Sequence, residues 1–568
     1  MMPANETRMI VPQAANPWAS VRIQTWRMGW FTEGAKYIRS QLSVMLARLV
    51  NRPNSTTAGE YIDRILRARV YDVAMESPLE RASRLSRRVG NEILLKREDL
   101  QPTFSFKLRG AYNKIASLSN HAAARGVICA SAGNHAQGVA LAASRRQIPA
   151  VIVMPVTTPR IKVQAVADLG GEVVLHGDDY DSAYERALVI ARERQMVFVH
   201  PFDDPDVIAG QGTIGMEISR QTGGNIDAVF VPVGGGGLIA GIAAYLKYVH
   251  PQIRIIGVNA ADSTAMHDSL RDGERKALQR VGIFADGVAV RRVGEETFRL
   301  ARELVDEMIL VDTDEICAGI QDIFEDTRSI VEPAGALAVA AIKKYIRRTG
   351  SEGRRFVAIN CGANMNFDRL RHVAERAEIG AQREALLAVN IPERPGSFLQ
   401  LCRVLDGRSV TEFNYRWSGS QGAEVFLGFG LAGSGKDKDD VLAALRTAGY
   451  GAVDLTDNEL AKLHVRYMVG GRPAGLQEEM LLRFEFPERP GALRKFLEAV
   501  GGRWNITLFH YRNHGSDAGR VVAGIQVPAS SREDFLLHLA ELHYPWVDET
   551  DNPAYRLFLG ASASGPGQ

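Results

Sequence analysis

Between about residue 90 and residue 260, short apolar runs alternate with stretches of helical spacing, and this alternation restricts the fold more than any other feature of the 568-residue chain. Val127-Ile-Cys-Ala, Ala150-Val-Ile-Val-Met, Glu172-Val-Val-Leu, Met196-Val-Phe-Val, Ala228-Val-Phe-Val-Pro-Val and Arg254-Ile-Ile-Gly-Val each read as buried strands. Stretches between them, such as Tyr180 to Arg194, place apolar residues at helical intervals. A strand, helix, strand rhythm implies a parallel sheet covered by helices on both faces. Ligands of such sheets sit beyond the carboxyl ends of the strands, so the residues just after each run are where chemistry is expected.

A second pattern begins near Glu384. Leu386-Leu-Ala-Val-Asn-Ile-Pro-Glu-Arg-Pro-Gly-Ser-Phe is echoed ninety-five positions on by Leu481-Leu-Arg-Phe-Glu-Phe-Pro-Glu-Arg-Pro-Gly-Ala-Leu. Phe413-Asn-Tyr-Arg returns as Phe509-His-Tyr-Arg, and Val453-Asp-Leu-Thr-Asp-Asn as Val547-Asp-Glu-Thr-Asp-Asn. This is a duplicated unit of about ninety residues, each copy reading strand, Pro-Gly turn, helix, strand. That is the pattern of a small α+β sandwich, with Gly470-Gly-Arg-Pro-Ala-Gly as the linker. The expected organisation is an N-terminal extension over 1–56, a catalytic domain over 57–380, repeat units over 384–460 and 480–560, and a tail over 561–568.

The extension is irregular to Arg27, loosely helical from Phe31 to Val50, and ends in Asn51-Arg-Pro-Asn-Ser-Thr-Thr. A transit peptide and a true start at Met45 are alternatives, but a short helix without a strongly basic face favours a plain extension. A net charge of +2, with both signs interleaved, gives no nucleic-acid stripe and no polybasic membrane anchor. No apolar run reaches membrane-spanning length and no secretory signal opens the chain. Cys129, Cys317, Cys361 and Cys402 form no C-x-x-C pair, which argues against zinc and disulfides and for a reducing cytoplasm.

Four segments carry chemistry. In Phe104-Ser-Phe-Lys-Leu-Arg-Gly, the residues Phe104, Phe106 and Leu108 give Lys107 an apolar setting. Desolvation disfavours its ammonium form and leaves a nucleophilic amine able to form a Schiff base with an aldehyde. Ser131-Ala-Gly-Asn-His-Ala-Gln-Gly stands between a strand and an apolar helix, where unpaired N–H groups offer a seat for a carboxylate. There Ser131 and Asn134 are equally readable as cap and turn residues, and His135 as a satisfied structural histidine. Gly234 to Gly237, between a buried strand and the helix from Leu238, let backbone N–H groups close around a phosphate. No Gly-Lys-Ser/Thr ending follows them, and their spacing is not that of a dinucleotide fingerprint. Cys361, in Val357-Ala-Ile-Asn-Cys-Gly-Ala-Asn-Met-Asn, ends a strand and by default reads as a buried structural thiol.

Taken together, Ser-Phe-Lys-Leu-Arg-Gly-Ala-Tyr, Ser-Ala-Gly-Asn-His-Ala-Gln-Gly, Gly-Gly-Gly-Gly-Leu and Gly-Ala-Asn-Met-Asn, in this order and followed by a duplicated tail, resemble the biosynthetic threonine dehydratases, or threonine ammonia-lyases. The resemblance runs from about residue 59 to 560. It implies a pyridoxal 5'-phosphate enzyme of fold-type II, like the tryptophan synthase β subunit, carrying two ACT-like regulatory domains. By the same resemblance Lys107 is the catalytic lysine that carries the cofactor, and Asn134 lies beside the phenolic oxygen. Gly234, Gly235, Gly236, Gly237 and Leu238 form the phosphate cup, and Cys361 faces the pyridine nitrogen. Ser131, Gly133 and His135 lie near the substrate carboxylate, and no metal site is implied.

The implied reaction converts L-threonine, and also L-serine, to the keto acid and ammonia. Isoleucine is the expected inhibitor and valine its antagonist, bound around Gly396, Phe398 and Tyr415 of the first copy and Gly491, Leu493 and Tyr511 of the second. A homotetramer is implied as well. Serine racemases resemble Ser-Ser-Gly-Asn-His at the first loop, and Ala132 departs from that; cysteine synthases resemble Ser-Gly-Asn-Thr-Gly, and His135 departs from that. A serine dehydratase or racemase of the same fold remains the alternative, while the intact Lys107 argues against a catalytically dead sensor.

Overall fold

The computed structural model describes residues 56–559, apart from 283, 368, 406, 418–421, 432–434, 464, 469–472, 474–475, 488–491, 501–502, 513–517, 542–543, 553–554 and 556–558. Residues 1–55 of the N-terminal extension, the tail over 561–568 and nearly all of the linker expected at Gly470 to Gly475 therefore lie outside the described residues.

The strands up to residue 360 are β1 (Leu79–Arg81), β2 (Glu92–Arg97), β3 (Val127–Ala130), β4 (Ala150–Met154), β5 (Glu172–Leu175), β6 (Val197–Phe198), β7 (Ala228–Pro232), β8 (Arg254–Ala260), β9 (Glu307–Val311) and β10 (Arg355–Asn360). All six expected runs are strands, but they do not share one sheet. They divide between a sheet of order β1-β2-β10-β7-β8-β9, parallel except for β1, and a smaller parallel sheet of order β5-β4-β3-β6. The rhythm of the chain counts strands, whereas sheet membership depends on pairings between distant segments, such as β10 inserted between β2 and β7. β5 is an edge strand and only partly buried, and the run at Met196 contributes just two paired residues.

Helices relevant to the site are α1 (Lys107–Ala116), α2 (Asn134–Arg146), α3 (Pro205–Thr222), α4 (Gly237–Val249), α5 (Thr313–Thr327), α6 (Pro333–Thr349) and α7 (Arg369–Gly380). α4 is buried on almost every side, which suits its run of leucine, isoleucine, alanine and glycine. The loops after the carboxyl ends of β2, β3, β7 and β10 carry Lys107, Ser131 to Asn134, Gly234 to Gly237 and Cys361 respectively.

Beneath them lies a closed ionic cluster. Lys96 Nζ is 2.6 Å from Glu217 Oε2, Arg109 Nη1 is 2.6 Å from Glu217 Oε1, and Arg109 Nε is 2.8 Å from Glu98 Oε2. All four side chains are fully buried, two cations against two carboxylates. The cluster ties α1, two residues past Lys107, to β2 and α3. Removing one member strands charge in a low dielectric, so Glu217→Ala is expected to destabilise the catalytic region by about 3–5 kcal/mol. A clear fall in the thermal midpoint of unfolding checks this, and an unchanged midpoint would refute it.

Past residue 380 the strands are β11 (Glu384–Pro392), β12 (Val410–Arg416), β13 (Gly422–Gly430), β14 (Gly451–Asp454), β15 (Glu479–Pro487), β16 (Asn505–Arg512), β17 (Ala518–Gln526) and β18 (Trp546–Asp548). The two copies of the repeat join into one antiparallel sheet of order β14-β11-β13-β12-β16-β17-β15-β18. The seam is β12 against β16, with Phe413 opposite Tyr511 and Tyr415 opposite Phe509. The helices α8 (Ser397–Val404) and α9 (Ala492–Val500) pack together against the sheet. An ionic seam ties this sheet to the catalytic region: Arg376 of α7 binds Asp314 and Glu459, and Lys462 Nζ lies 2.8 Å from Asp314.

Candidate active site

The loop after β2 turns at Phe104, whose φ of 53° lies in the left-handed region, and Ser105 then bridges to Gly362. The Phe106 N–H donates to the Cys361 carbonyl at 3.3 Å, which fixes the start of α1 beside the end of β10. Of the three apolar neighbours expected for Lys107, Phe106 and Leu108 are buried, but Phe104 is 56% exposed. The left-handed turn swings it outward, which residue type alone does not reveal. Lys107 Nζ donates to the Pro201 carbonyl at 3.0 Å. Burial pushes the Lys107 pKa down to about 8, against the opposing pull of Cys361 and Glu332.

The glycine loop follows β7 and packs on Phe202, the residue next to Lys107's acceptor. A Cβ on Gly235 would overlap the Phe202 ring, and one on Gly237 would come within 3.0 Å of the Phe202 backbone. Gly236 has φ 100° and caps α4. The Gly235 carbonyl accepts from Thr297 Oγ1 at 2.6 Å and from the Gly294 N–H at 3.3 Å. Among the described residues, the N–H groups of Gly234, Gly235 and Gly236 have no protein acceptor. A row of unclaimed N–H groups before a helix of 13 residues is a cradle for an anion. Leu238 is buried in the first turn of that helix.

α2 begins at Asn134, with Gly133 as its cap. Ser131 Oγ accepts the Gly133 N–H at 3.3 Å and is partly exposed. His135 is buried, its Nε2 donates to the Val199 carbonyl at 2.9 Å, and burial together with the Lys107 charge lowers its pKa to about 3. It is a neutral imidazole held through Nε2 by the backbone, a geometry that suits the structural alternative and leaves Nδ1 open to the expected place near the substrate carboxylate. Cys361 is buried, and burial followed by the nearby Glu332 raises its thiol far above the ordinary range, so it stays uncharged.

Glu332 was not legible in the sequence. It precedes Pro333, where an acid reads as an ordinary helix cap. Its carboxyl instead reaches Asn134, whose Nδ2 donates to Oε1 at 2.6 Å. Burial, and then Asp286, push its pKa up to about 7, against the Asn134 hydrogen bond and Lys162. Only the fold brings it there, so no local signal could have found it.

Four of the six residues expected around the effector, Phe398, Tyr415, Leu493 and Tyr511, fall on one aromatic cluster at the seam of the repeat. The Phe398 ring is 4.8 Å from Tyr415 and 6.0 Å from Phe509, and Leu493 and Tyr511 belong to the same core. Gly396 has φ 86° and caps α8. Gly491 lies outside the described residues. Ser397, absent from the expectations, is buried, and its Oγ has no partner among the described residues.

A family described as "Pyridoxal-phosphate dependent enzyme" matches residues 71–362, and the "C-terminal regulatory domain of Threonine dehydratase" matches 375–465 and again 470–559. The biosynthetic L-threonine dehydratase IlvA of Burkholderia multivorans is 57% identical over 503 residues, covering 88% of this chain and 99% of the relative. Among solved structures, the processed form of threonine deaminase isoform 2 from Solanum lycopersicum is 50% identical with a TM-score of 0.56, covering 57% of this chain and 90% of that one. Maize serine racemase is more distant at 32% identity, with a TM-score of 0.53 over 55% of this chain and 96% of its own.

Proposed function

The chain belongs to the pyridoxal-phosphate-dependent threonine dehydratases, with their duplicated C-terminal regulatory domain, and from that premise we propose how its residues divide the work. It is a threonine ammonia-lyase, converting L-threonine to 2-oxobutanoate and ammonia at the entry to isoleucine biosynthesis. The observation that carries the assignment of roles is the convergence of Lys107, Asn134, the glycine loop and Cys361, far apart in the chain, on the carboxyl ends of four strands.

The site fits its cofactor. A buried lysine, a cradle of unclaimed N–H groups and a neutral thiol are what an aldehyde, a phosphate and an unprotonated pyridine nitrogen require. Lys107 would bind the aldehyde, Gly234 to Leu238 the phosphate, Asn134 the phenolic oxygen, and Cys361 would face the ring nitrogen. When bound, the cofactor supplies a sink for the electron pair left on the substrate's α-carbon.

The chain's own groups do the rest. Lys107, once released by the incoming substrate amine, takes the α-proton as general base. A pKa near 8 leaves about a tenth of its amine unprotonated at pH 7, a share that rises as pH approaches 8. The Ser131 hydroxyl and the N–H groups at the start of α2 hold the substrate carboxylate. The uncharged Cys361 would leave the ring nitrogen unprotonated, so the bound cofactor would supply a weaker electron sink, suited to prompt departure of the β-hydroxyl as water once it has gained a proton. Hydrolysis of the released product then yields the keto acid and ammonia.

For the tail we propose an amino-acid effector at the start of α8, on the aromatic cluster around Phe398 and Tyr415. The unpartnered Ser397 hydroxyl supports this, because a buried polar group without a partner is costly unless a ligand satisfies it. Isoleucine is the proposed inhibitor, valine its antagonist, and L-serine a second substrate. The four thiols, buried and unbridged, fit a reducing cytoplasm, and we propose a homotetrameric assembly. Among the described residues no helix is long and apolar enough to cross a membrane.

The deciding experiment is a keto-acid assay comparing threonine with serine, with and without isoleucine and valine. Ser397→Ala is expected to raise the isoleucine concentration for half-inhibition by about 2- to 10-fold, the worth of one hydrogen bond, without changing the uninhibited rate. An unaltered isoleucine response would remove Ser397 from the effector site.

A further inference from the structure

Glu332 stands at the N-cap of α6, where a carboxylate would ordinarily accept the first N–H groups of the helix, yet its side chain makes no capping bond. It is 4% exposed and turned onto Asn134. Two glycines clear the way. A Cβ on Gly362 would come within 2.5 Å of Glu332 Oε1 and 3.1 Å of Asn134 Nδ2, and one on Gly287 within 3.2 Å of the same Oε1.

The hydrogen bonds running through Asn134 have a definite sense. The Thr103 carbonyl can only accept, so the Asn364 atom facing it at 2.9 Å is Nδ2. That same Nδ2 lies 2.6 Å from Asn134, and the atom it meets there must be an acceptor, Oδ1. The Nδ2 of Asn134 therefore faces Glu332, and of its two N–H bonds one is committed to the carboxyl. The second is left for a ligand.

We propose that Glu332 is a positioning residue of the reaction: its carboxyl, with Asn364 on the opposite side, locks the Asn134 amide so that an N–H, and not the carbonyl, is presented to the cofactor's phenolic oxygen. This rests on the role assigned to Asn134 above. The charged and titratable groups around the carboxyl are Lys107 on α1, Cys361 after β10, and the Asp286 and Lys162 pair, 2.9 Å apart. Burial, and then Asp286, raise the carboxyl's own titration to near 7, against the Asn134 hydrogen bond, Lys162 and the Asn364 backbone N–H. Below that pH it is neutral; above it, a negative charge stands behind the Asn134 N–H and tightens the bond.

The test uses holoenzyme of wild type, Glu332→Gln, Glu332→Asp and Glu332→Ala. The visible absorbance of the lysine-bound cofactor is followed from about pH 6 to 9, together with kcat and KM for threonine. Wild type is expected to show a spectral transition near pH 7. Glu332→Gln, which keeps an acceptor for Asn134 but cannot ionise, should retain the band and lose the transition. Glu332→Ala should lower kcat by about tenfold or more with KM within about threefold, and Glu332→Asp should restore part of that loss. A transition that survives in Glu332→Gln overturns the proposal. So does a Glu332→Ala enzyme with unchanged kcat and spectrum. Should Glu332→Ala fail to fold, the glutamine variant still decides. A wild type that makes no 2-oxobutanoate would instead sink the threonine reading while leaving the spectral comparison standing, so the two failures are distinguishable.

Discussion

Lys107→Ala is expected to leave a folded protein whose threonine deamination is lower by about a thousandfold or more, the scale of a removed general base. The covalent attachment of the cofactor should vanish with it, so borohydride reduction followed by intact mass measurement should find none. No neighbouring lysine is free to substitute. Lys96 is locked on Glu217 and the Ser77 carbonyl, Lys114 on Asp204 and Asp206, and Lys162 on Asp286. The alanine should itself be tolerated, because Lys107 makes one hydrogen bond to a carbonyl and the ionic cluster that anchors α1 is carried by Arg109. Activity above one part in a thousand of wild type, with the fold intact, would remove Lys107 from its assigned role.

The second large effect is expected at the glycine loop. In Gly235→Ala the new methyl would overlap the Phe202 ring, and Phe202 is not free to retreat: its N–H is held by His200 Nδ1 at 3.3 Å, and its backbone lies against Gly237. Crowding of this kind costs about 1–3 kcal/mol. Because the strain is relieved by moving the loop whose N–H groups form the cradle, cofactor affinity should fall by roughly 5- to 150-fold. Titration of the apoprotein with pyridoxal phosphate measures it. Gly59→Ala is the control, since Gly59 is exposed and a Cβ there meets only the Tyr248 ring, at 3.9 Å. It should bind cofactor as wild type does. Equal affinity in Gly235→Ala and Gly59→Ala would show that the loop does not hold the cofactor.

Much of this protein was legible in local sequence. The strands were readable because β-branched runs bounded by turn residues have few other stable fates, and the glycine loop because only glycine fits where Phe202 and Thr297 close in. The duplicated tail was readable because β11 and β15 keep the same length and turn at a fixed offset. In each case the signal lies within a dozen neighbouring residues, where side-chain period and backbone preference act directly.

What only the tertiary structure decided depends on partners far apart in the chain. Sequence could not divide the strands between two sheets, because β10 inserts between β2 and β7 and local pattern carries no record of that pairing. It could not tell that Phe104 turns outward while Phe106 turns in. It could not tell that His135 is buried, neutral and held through Nε2 by the Val199 carbonyl. It passed over Glu332, whose chemistry is set by burial and by an amide 198 positions away. A residue's type fixes which bonds it can form, but its ionisation and orientation are set by the dielectric and by the partners that surround it. Those exist only once the chain has folded.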